Sequence, residues 1–280
     1  MRLSVRHVTT YRYDPPAQGL ALRLRLFAHG TVQQHVLDWR VTVDDKPVTP
    51  LLTTANGEAE ALWFSRRRDE AVTIVAEGTV ETIDHAGVLG KAGDRVRPGV
   101  YLRETPLTVP GDAIAELAAA AEGETQLARL HALSAAVAEG LDYRAGATDA
   151  ETTAEQAAAL GVGVCQDYAQ VFIAAARSLG VPARYVIGYL HNPEAAEYAS
   201  HAWAEAHLDG LGWVGFDPLH QVCPSIDHIR LCTGLDAPDA APIRGTMLPG
   251  SDEKMEIEVA IAPSGQVQGL GQGLSQSQSQ

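Results

Sequence analysis

The stretch HAWAEAHLDGLGWVGFDP, His201–Pro218, decides how the chain is read. HAWAEAHL alternates strictly in side-chain type, the period of a β-strand. Trp213–Phe216 follows an Asp-Gly turn, and the two segments together read as a hairpin. On the first strand His201, Trp203, Glu205 and His207 share one face, and Asp217 ends the partner strand. Pairing of Leu208 with Trp213, or with Leu211, would set Asp217 opposite an alanine, facing away from His201. An odd-length connection, or a bulge between His207 and Asp217, brings Asp217 onto the His201 face. The glycine-rich run Asp209–Gly212 predicts that second arrangement.

Forty residues upstream, GVGVCQDYAQ (Gly161–Gln170) places Cys165 between a glycine-rich approach and a predicted helix over 166–179, where Ala169, Phe172, Ile173, Ala176 and Leu179 share a face. Gly180 and Pro182 end that helix. The thiolate is the reactive form of cysteine, and the partial positive charge of a helix N-terminus favours it. Gly161 and Gly163 let the backbone bend and a substrate approach. A nucleophile needs a base and the base an orienting group, which the hairpin offers in His201 and Asp217.

The remainder of the chain sets limits. It has 280 residues, 46% hydrophobic and 20% charged, a globular profile for two domains of ordinary size. The net charge of -14 argues against a nucleic-acid partner and against docking on an anionic membrane. MRLSVRHVTTYRY has no continuous apolar core, so it does not read as a signal peptide. Cys165, Cys223 and Cys232 form an odd, sparse set without a CxxC pair. That set predicts free thiols, a cytoplasmic setting and no structural zinc.

From Met1 to about Thr105 the segments LSVRHVTTYRY, ALRLRLFA, HVLDWRVTVD, EALWFSR and AVTIVAEGTVETI predict short strands in a β-sandwich-like domain over 1–105. Arg97–Gly111, with three prolines, reads as a linker. Helices are predicted over 112–121 and 124–139, and a third is announced by a capping-box signal at Thr152-Thr153 with Glu155 and Gln156. Ala183–Leu190 reads as a buried strand, the region after Pro218 as loop, and 254–262 as one last strand. The catalytic unit is therefore expected over 106–262. The Gly/Gln/Ser tail 263–280 is expected to be disordered.

Taken together, GVCQDYA, LGVPARYVIGYL, SHAWAEAHLDGLGWVGFDP and the late DAAPIRG resemble the transglutaminase-like superfamily in its bacterial branch. RHVTTYRY and VLDWRVTVD resemble the N-terminal β-domain that accompanies it. The resemblance implies an α+β fold with a papain-like core, the cysteine on a helix packed against an antiparallel sheet. It implies a triad of Cys165, His201 and Asp217, needing no cofactor and no metal. Cys165 would attack an amide or isopeptide carbonyl of a peptide or protein, and water would resolve the thioester. Transamidation by an amine, or a non-catalytic binding module, are the alternatives. Bacterial relatives also resemble parts of systems that process modified peptides beside ATP-grasp-type ligases. The calcium sites of animal transglutaminases find no acidic cluster here.

Other candidates have plainer readings. Cys223 and Cys232 read as buried thiols. His207 lies roughly 20 Å along the strand from His201, too far for a shared metal. Trp203 and Trp213 read as core aromatics. Gln166 is a candidate for the oxyanion site, and Tyr143 and Tyr168 for the cleft rim. Asp236 and Asp239 carry no evident chemistry.

Overall fold

The structure is a computed structural model, and it describes residues 1–91, 95–193, 200–264 and 276–278. In chain order it contains β1 (Arg2–Leu24), β2 (Gln34–Val43), β3 (Lys46–Pro47), β4 (Leu52–Thr53), β5 (Ala59–Thr82) and β6 (Val88–Gly90). A 3₁₀ turn at Pro98–Leu102 leads to α1 (Asp112–Ala120), α2 (Gln126–Gly140), β7 (Asp142–Tyr143), α3 (Ala154–Leu160), β8 (Val162–Gly163) and α4 (Cys165–Ser178). Then come β9 (Ala183–Leu190), β10 (Ser200–Leu208), β11 (Gly212–Phe216), β12 (His228–Gly234), α5 (Ala237–Ala240), β13 (Ile243–Thr246), β14 (Asp252–Pro263) and β15 (Gln276–Gln278).

The β-rich start is an antiparallel sheet with the order β15-β14-β1-β5-β2-β3, with β13 and β4 at its margins. Four of the strands expected there are two. LSVRHVTTYRY and ALRLRLFA are halves of β1, and EALWFSR and AVTIVAEGTVETI are halves of β5. The two long strands stay paired across irregularities between Arg12 and Ala17 and between Gln18 and Leu20. Pro15 and Pro16 lie in this interval, where they withdraw two ladder donors; a bulge bends a strand without ending it. The strand expected at 254–262 is β14, and it pairs with β1 from Leu3↔Pro263 to Asp14↔Asp252. The end of the catalytic unit thus returns to the first sheet. Of the tail, residues 265–275 and 279–280 lie outside the described residues.

The second sheet is antiparallel, with order β12-β9-β10-β11-β6. Its central strand β10 turns Ala202, Ala204, Ala206 and Leu208 toward the helices, where they join Ala169, Phe172, Ile173 and Ala176 of α4 in one core. Small side chains on the strand let the helix come down close, and Phe172 stacks on Phe216 with 5.0 Å between ring centroids. The helix ends follow local rules. Thr153 and Gln156 exchange the two bonds of a capping box at α3. Glu155, between them, accepts the first N–H groups of α1 from Gly111, Ala113 and Ile114.

Two expectations are corrected here. The region after Pro218 is not all loop: it contributes β12, an edge strand buried along its whole length. Only HIRL alternates, and the irregularity between Arg230 and Cys232 breaks the period after two cycles. Gln34 holds the backbone N–H and C=O of Arg230, Glu58 takes the Thr233 N–H and hydroxyl, and Thr82 donates to the Ile226 carbonyl. The first sheet therefore grips this strand through polar groups. The segment 97–111 is likewise more than a linker. Tyr101 is buried edge-on to Trp213, and Arg177 of α4 donates to the Tyr101 carbonyl and the Thr108 hydroxyl.

Opposite its alanine floor, β10 carries Glu205 fully buried between Arg184 of β9 and Arg230 of β12, at 2.7 and 2.8 Å. Burial alone would raise its pKa; the two guanidiniums overcome this and hold it at about 2. Removing the carboxylate leaves two buried cations facing each other. Glu205→Ala should lower stability by about 3–5 kcal/mol in urea denaturation. A loss under about 1 kcal/mol would mean that water or relaxation replaces the pair, contrary to the desolvation argument.

Candidate active site

Cys165 opens α4. Ahead of it, β8 runs parallel to β7, with Tyr143 opposite Gly163. Asp167, buried in the first turn of α4, accepts the Val164 N–H at 2.8 Å and the Thr148 hydroxyl at 2.7 Å, which closes the turn beneath the cysteine. A Cβ on Gly163 would stand 2.6 Å from Asp167 Cβ, so only glycine fits there. Cys165 itself is half-buried, its helix-start position open to one side.

The hairpin settles the placement of Asp217. β10 and β11 pair from Leu208↔Gly212 to Ala204↔Phe216. Asp209, Gly210 and Leu211 form a three-residue connection, the odd length expected. Continued by one residue, the register sets Asp217 opposite Trp203, on the face that carries His201. His201 Nε2 lies 2.7 Å from Asp217 Oδ2, both side chains buried. Cys165 stands close enough to the imidazole to raise its pKa alongside Asp217. The three expected residues are therefore brought together, with His201 bonded to the carboxylate and acted on by the cysteine.

A further close approach seats His201. Its backbone partner on β9 is Gly188. A Cβ at Gly188 would lie 2.0 Å from the Ile229 carbonyl oxygen and 2.8 Å from the Trp203 ring. The missing side chain lets Trp203 lie flat beneath His201, with 6.0 Å between centroids.

Asp217 receives more than His201. His220 Nδ1 lies 2.9 Å from the same Oδ2 and His228 Nε2 3.1 Å from it, while the His220 N–H reaches Oδ1 at 3.3 Å. Neither histidine was singled out in the sequence. His220 had a signal, since an Asp-Pro turn brings the residue three positions on back to the aspartate. His228 had none, because its strand was not expected. Burial alone would raise the Asp217 pKa, but these donors hold it far below the usual carboxylate range. For His201, burial opposes the charged form, and the bonds to Asp217 and Cys165 overcome it to raise the pKa to about 10.

Ligand atoms of His201, Asp217 and His220 lie within 4.8 Å of one another, a set that one metal ion could span. At 2.7 and 2.9 Å from the carboxylate, however, the two imidazoles sit where shared protons put them.

The remaining candidates separate. Tyr168 is buried, and its hydroxyl donates to the Leu141 carbonyl, so it is not on the cleft rim. Tyr143 is exposed beside Gly163, and Gln166 is half-buried in the first turn of α4. Trp203 and Trp213 are buried, and His207 stacks edge-on to Trp213 away from the cysteine. Burial pushes the Cys223 and Cys232 thiols up, the direction opposite to activation. Asp236 and Asp239 cap the short helix α5 and its approach.

A cysteine at a helix start facing a histidine and aspartate on an antiparallel sheet defines the papain-like, transglutaminase-type class. Comparison with known proteins agrees. Residues 114–218 match the transglutaminase-like superfamily core, and residues 3–81 match the bacterial transglutaminase-like N-terminal region. The chain thus carries a transglutaminase-like core and a bacterial transglutaminase-like N-terminal region. An uncharacterized protein of Mycobacterium leprae is 28% identical, over 93% of this chain and 98% of that protein. An uncharacterized protein of Mycobacterium tuberculosis is 25% identical, over 94% and 93%. A crystal structure from Cytophaga hutchinsonii, named as a candidate cysteine protease, shares the fold at a TM-score of 0.71 with 24% identity, covering 93% of this chain and 90% of that one.

The raised His201 pKa links the site to stability. Its contribution is complete below the ordinary imidazole value of about 6.5 and is lost as pH rises through about 10. That of Asp217, whose pKa is depressed, is present above the carboxylate range and lost as pH falls. In Asp217→Asn the His201 titration followed by NMR should move back toward about 6.5. Melting temperature should then cease to fall across the interval up to about pH 10. An unchanged alkaline slope would show that Asp217 does not set the His201 proton affinity.

Proposed function

We propose that the protein is a cysteine-dependent acyl-transfer enzyme that hydrolyses amide or isopeptide bonds of a peptide or protein. The observation that carries this reading is the meeting of Cys165, at a helix N-terminus, with His201 bonded to the buried Asp217. His201 holds a proton beside the sulfur at neutral pH, ready for the leaving group, and Cys165 attacks as the thiolate. The thiolate attacks the carbonyl carbon and the carbonyl π-electrons move to oxygen. The Cys165 and Gln166 N–H groups, which precede the first bonds of the helix at Asp167 and Tyr168, would meet that oxyanion. His201 then gives its proton to the leaving nitrogen as the C–N bond breaks, leaving a thioester on Cys165 and a neutral imidazole. Water attacks the thioester, His201 takes its proton, and the acid product leaves the thiolate restored. Asp217 keeps the imidazole aimed throughout.

The transglutaminase-like core supports cysteine-dependent catalysis in general. Hydrolysis is the reading we adopt over transfer because water is the acceptor always at hand. A transglutaminase would instead pass the acyl group to an amine. A glutamine peptide incubated with a primary amine and followed by mass spectrometry separates the two. Deamidation or backbone cleavage is expected, and a stable amine adduct would replace hydrolysis by transamidation. Cys165→Ala should lose at least about 10³-fold in rate while keeping the fold. A fully active Cys165→Ala protein would take the cysteine out of the chemistry, and a wild type inert in both assays would leave a binding module.

A further inference from the structure

Three features beyond the triad carry chemistry: an apolar patch at Leu62 and Phe64 on β5, the Glu205 charge network, and the imidazoles around Asp217. The patch has no identified partner, and the network is fully accounted for by structure. The imidazoles go further.

We infer that His228 is a positioning residue of the site, a neutral imidazole locked as the Nε2–H tautomer, which pins the Asp217 carboxylate toward His201 and is itself held in place by the N-terminal sheet. The inference rests on the cysteine-enzyme reading above. The tautomer follows from the hydrogen bonds. The Ser225 N–H donates to His228 Nδ1 at 3.2 Å, so that nitrogen carries a lone pair and Nε2 carries the hydrogen. The Nε2–H is then the donor to Asp217 Oδ2 at 3.1 Å. The His228 N–H returns a bond to the Ser225 carbonyl at 3.1 Å. The ring stands edge-on to Trp203, with 5.4 Å between centroids.

A second proton on His228 would have to displace the Ser225 N–H and enter a buried site. The charged or titratable groups facing the ring are Asp217, His201 and His220. His228 therefore donates to Asp217 without changing state while His201 cycles. His220 differs: its side chain is 40% exposed, on a surface turn. The buried support comes from β12, which Gln34 and Glu58 grip, and from its approach, where Thr82 holds Ile226. This gives the N-terminal region a task in the reaction, since it holds the strand from which His228 reaches the triad.

The test needs no substrate. Iodoacetamide alkylation of Cys165 in the full chain is followed across pH by peptide mass spectrometry, with the urea-unfolded chain as the free-thiol reference. Wild type should react faster than the reference at and below neutral pH. His228→Phe keeps the ring against Trp203 but removes the donor. It should lose about tenfold in the Cys165 rate at pH 7, the scale of one hydrogen bond to a charged group. The upper pH limit of its enhanced reactivity should also move down. His228→Gln, which can still donate at the Nε2 position, should stay within about threefold of wild type. If His228→Phe does not fold, Gln is compared with Asn, which is one methylene too short to reach, and Asn should show the loss. An enhanced wild type with an unchanged Phe profile, or a Gln variant as impaired as Phe or Asn, overturns the positioning role alone. A wild type no faster than the unfolded chain overturns the cysteine-enzyme reading and this role with it.

Discussion

A carboxylate taken out of water must be met by donors, and at Asp217 three imidazoles meet it. One buried oxygen accepts from His201, His220 and His228, three residues on three different segments. That convergence fixes where the hairpin, the turn after Pro218 and the start of β12 can sit relative to one another. It also decides the charge of the site. The donors keep Asp217 ionised, Asp217 keeps His201 protonated, and His201 faces the sulfur of Cys165. Each step is an electrostatic response to the one before it, inside a region too dry to screen it.

The two sheets divide the work. The face of β10 toward the helices is alanine and leucine, so α4 lies close and brings its N-terminus to the level of His201. The opposite face carries His201, Trp203 and Glu205. It is covered by charged and polar groups, with Arg184 and Arg230 on Glu205 and His228 on Trp203. Burial of so much charge is tolerated because each group has a partner at hydrogen-bond distance. The first sheet closes this side, and its own buried pair, Arg25 with Glu58, reaches across to the Thr233 backbone. The N-terminal region is thus a wall of the site's supporting structure.

Much of this was legible in the sequence. The alternation of HAWAEAHL set the two faces of β10, and the glycine-rich run to Gly212 announced the odd connection that turns Asp217 toward His201. The Thr153 and Gln156 signal marked α3, and the face of Ala169, Phe172, Ile173 and Ala176 marked α4. The strand β12 was not legible, because its alternation lasts only from His228 to Leu231 before an irregularity at Arg230–Cys232 shifts the register. The merging of four expected strands into two was hidden for a related reason: prolines mark both a chain break and a bulge, and only pairing with β5 tells which. Tyr168 was placed on the rim by its neighbourhood to Cys165, yet its ring is buried and its hydroxyl is taken up by the Leu141 carbonyl.

By itself, then, the sequence determined the identity of the cysteine, histidine and aspartate, the helix and hairpin that carry them, and the family they resemble. These depend on periodicities of two and 3.6 residues and on turn chemistry, which act over a few neighbours. Tertiary structure alone decided which other groups surround Asp217, that His228 stands as a neutral donor, and that the last strand closes on the first. Those contacts join residues far apart in the chain, such as Thr233 with Glu58 and Arg230 with Gln34. No local pattern encodes them; they exist because a buried polar group must find a partner wherever packing has brought one.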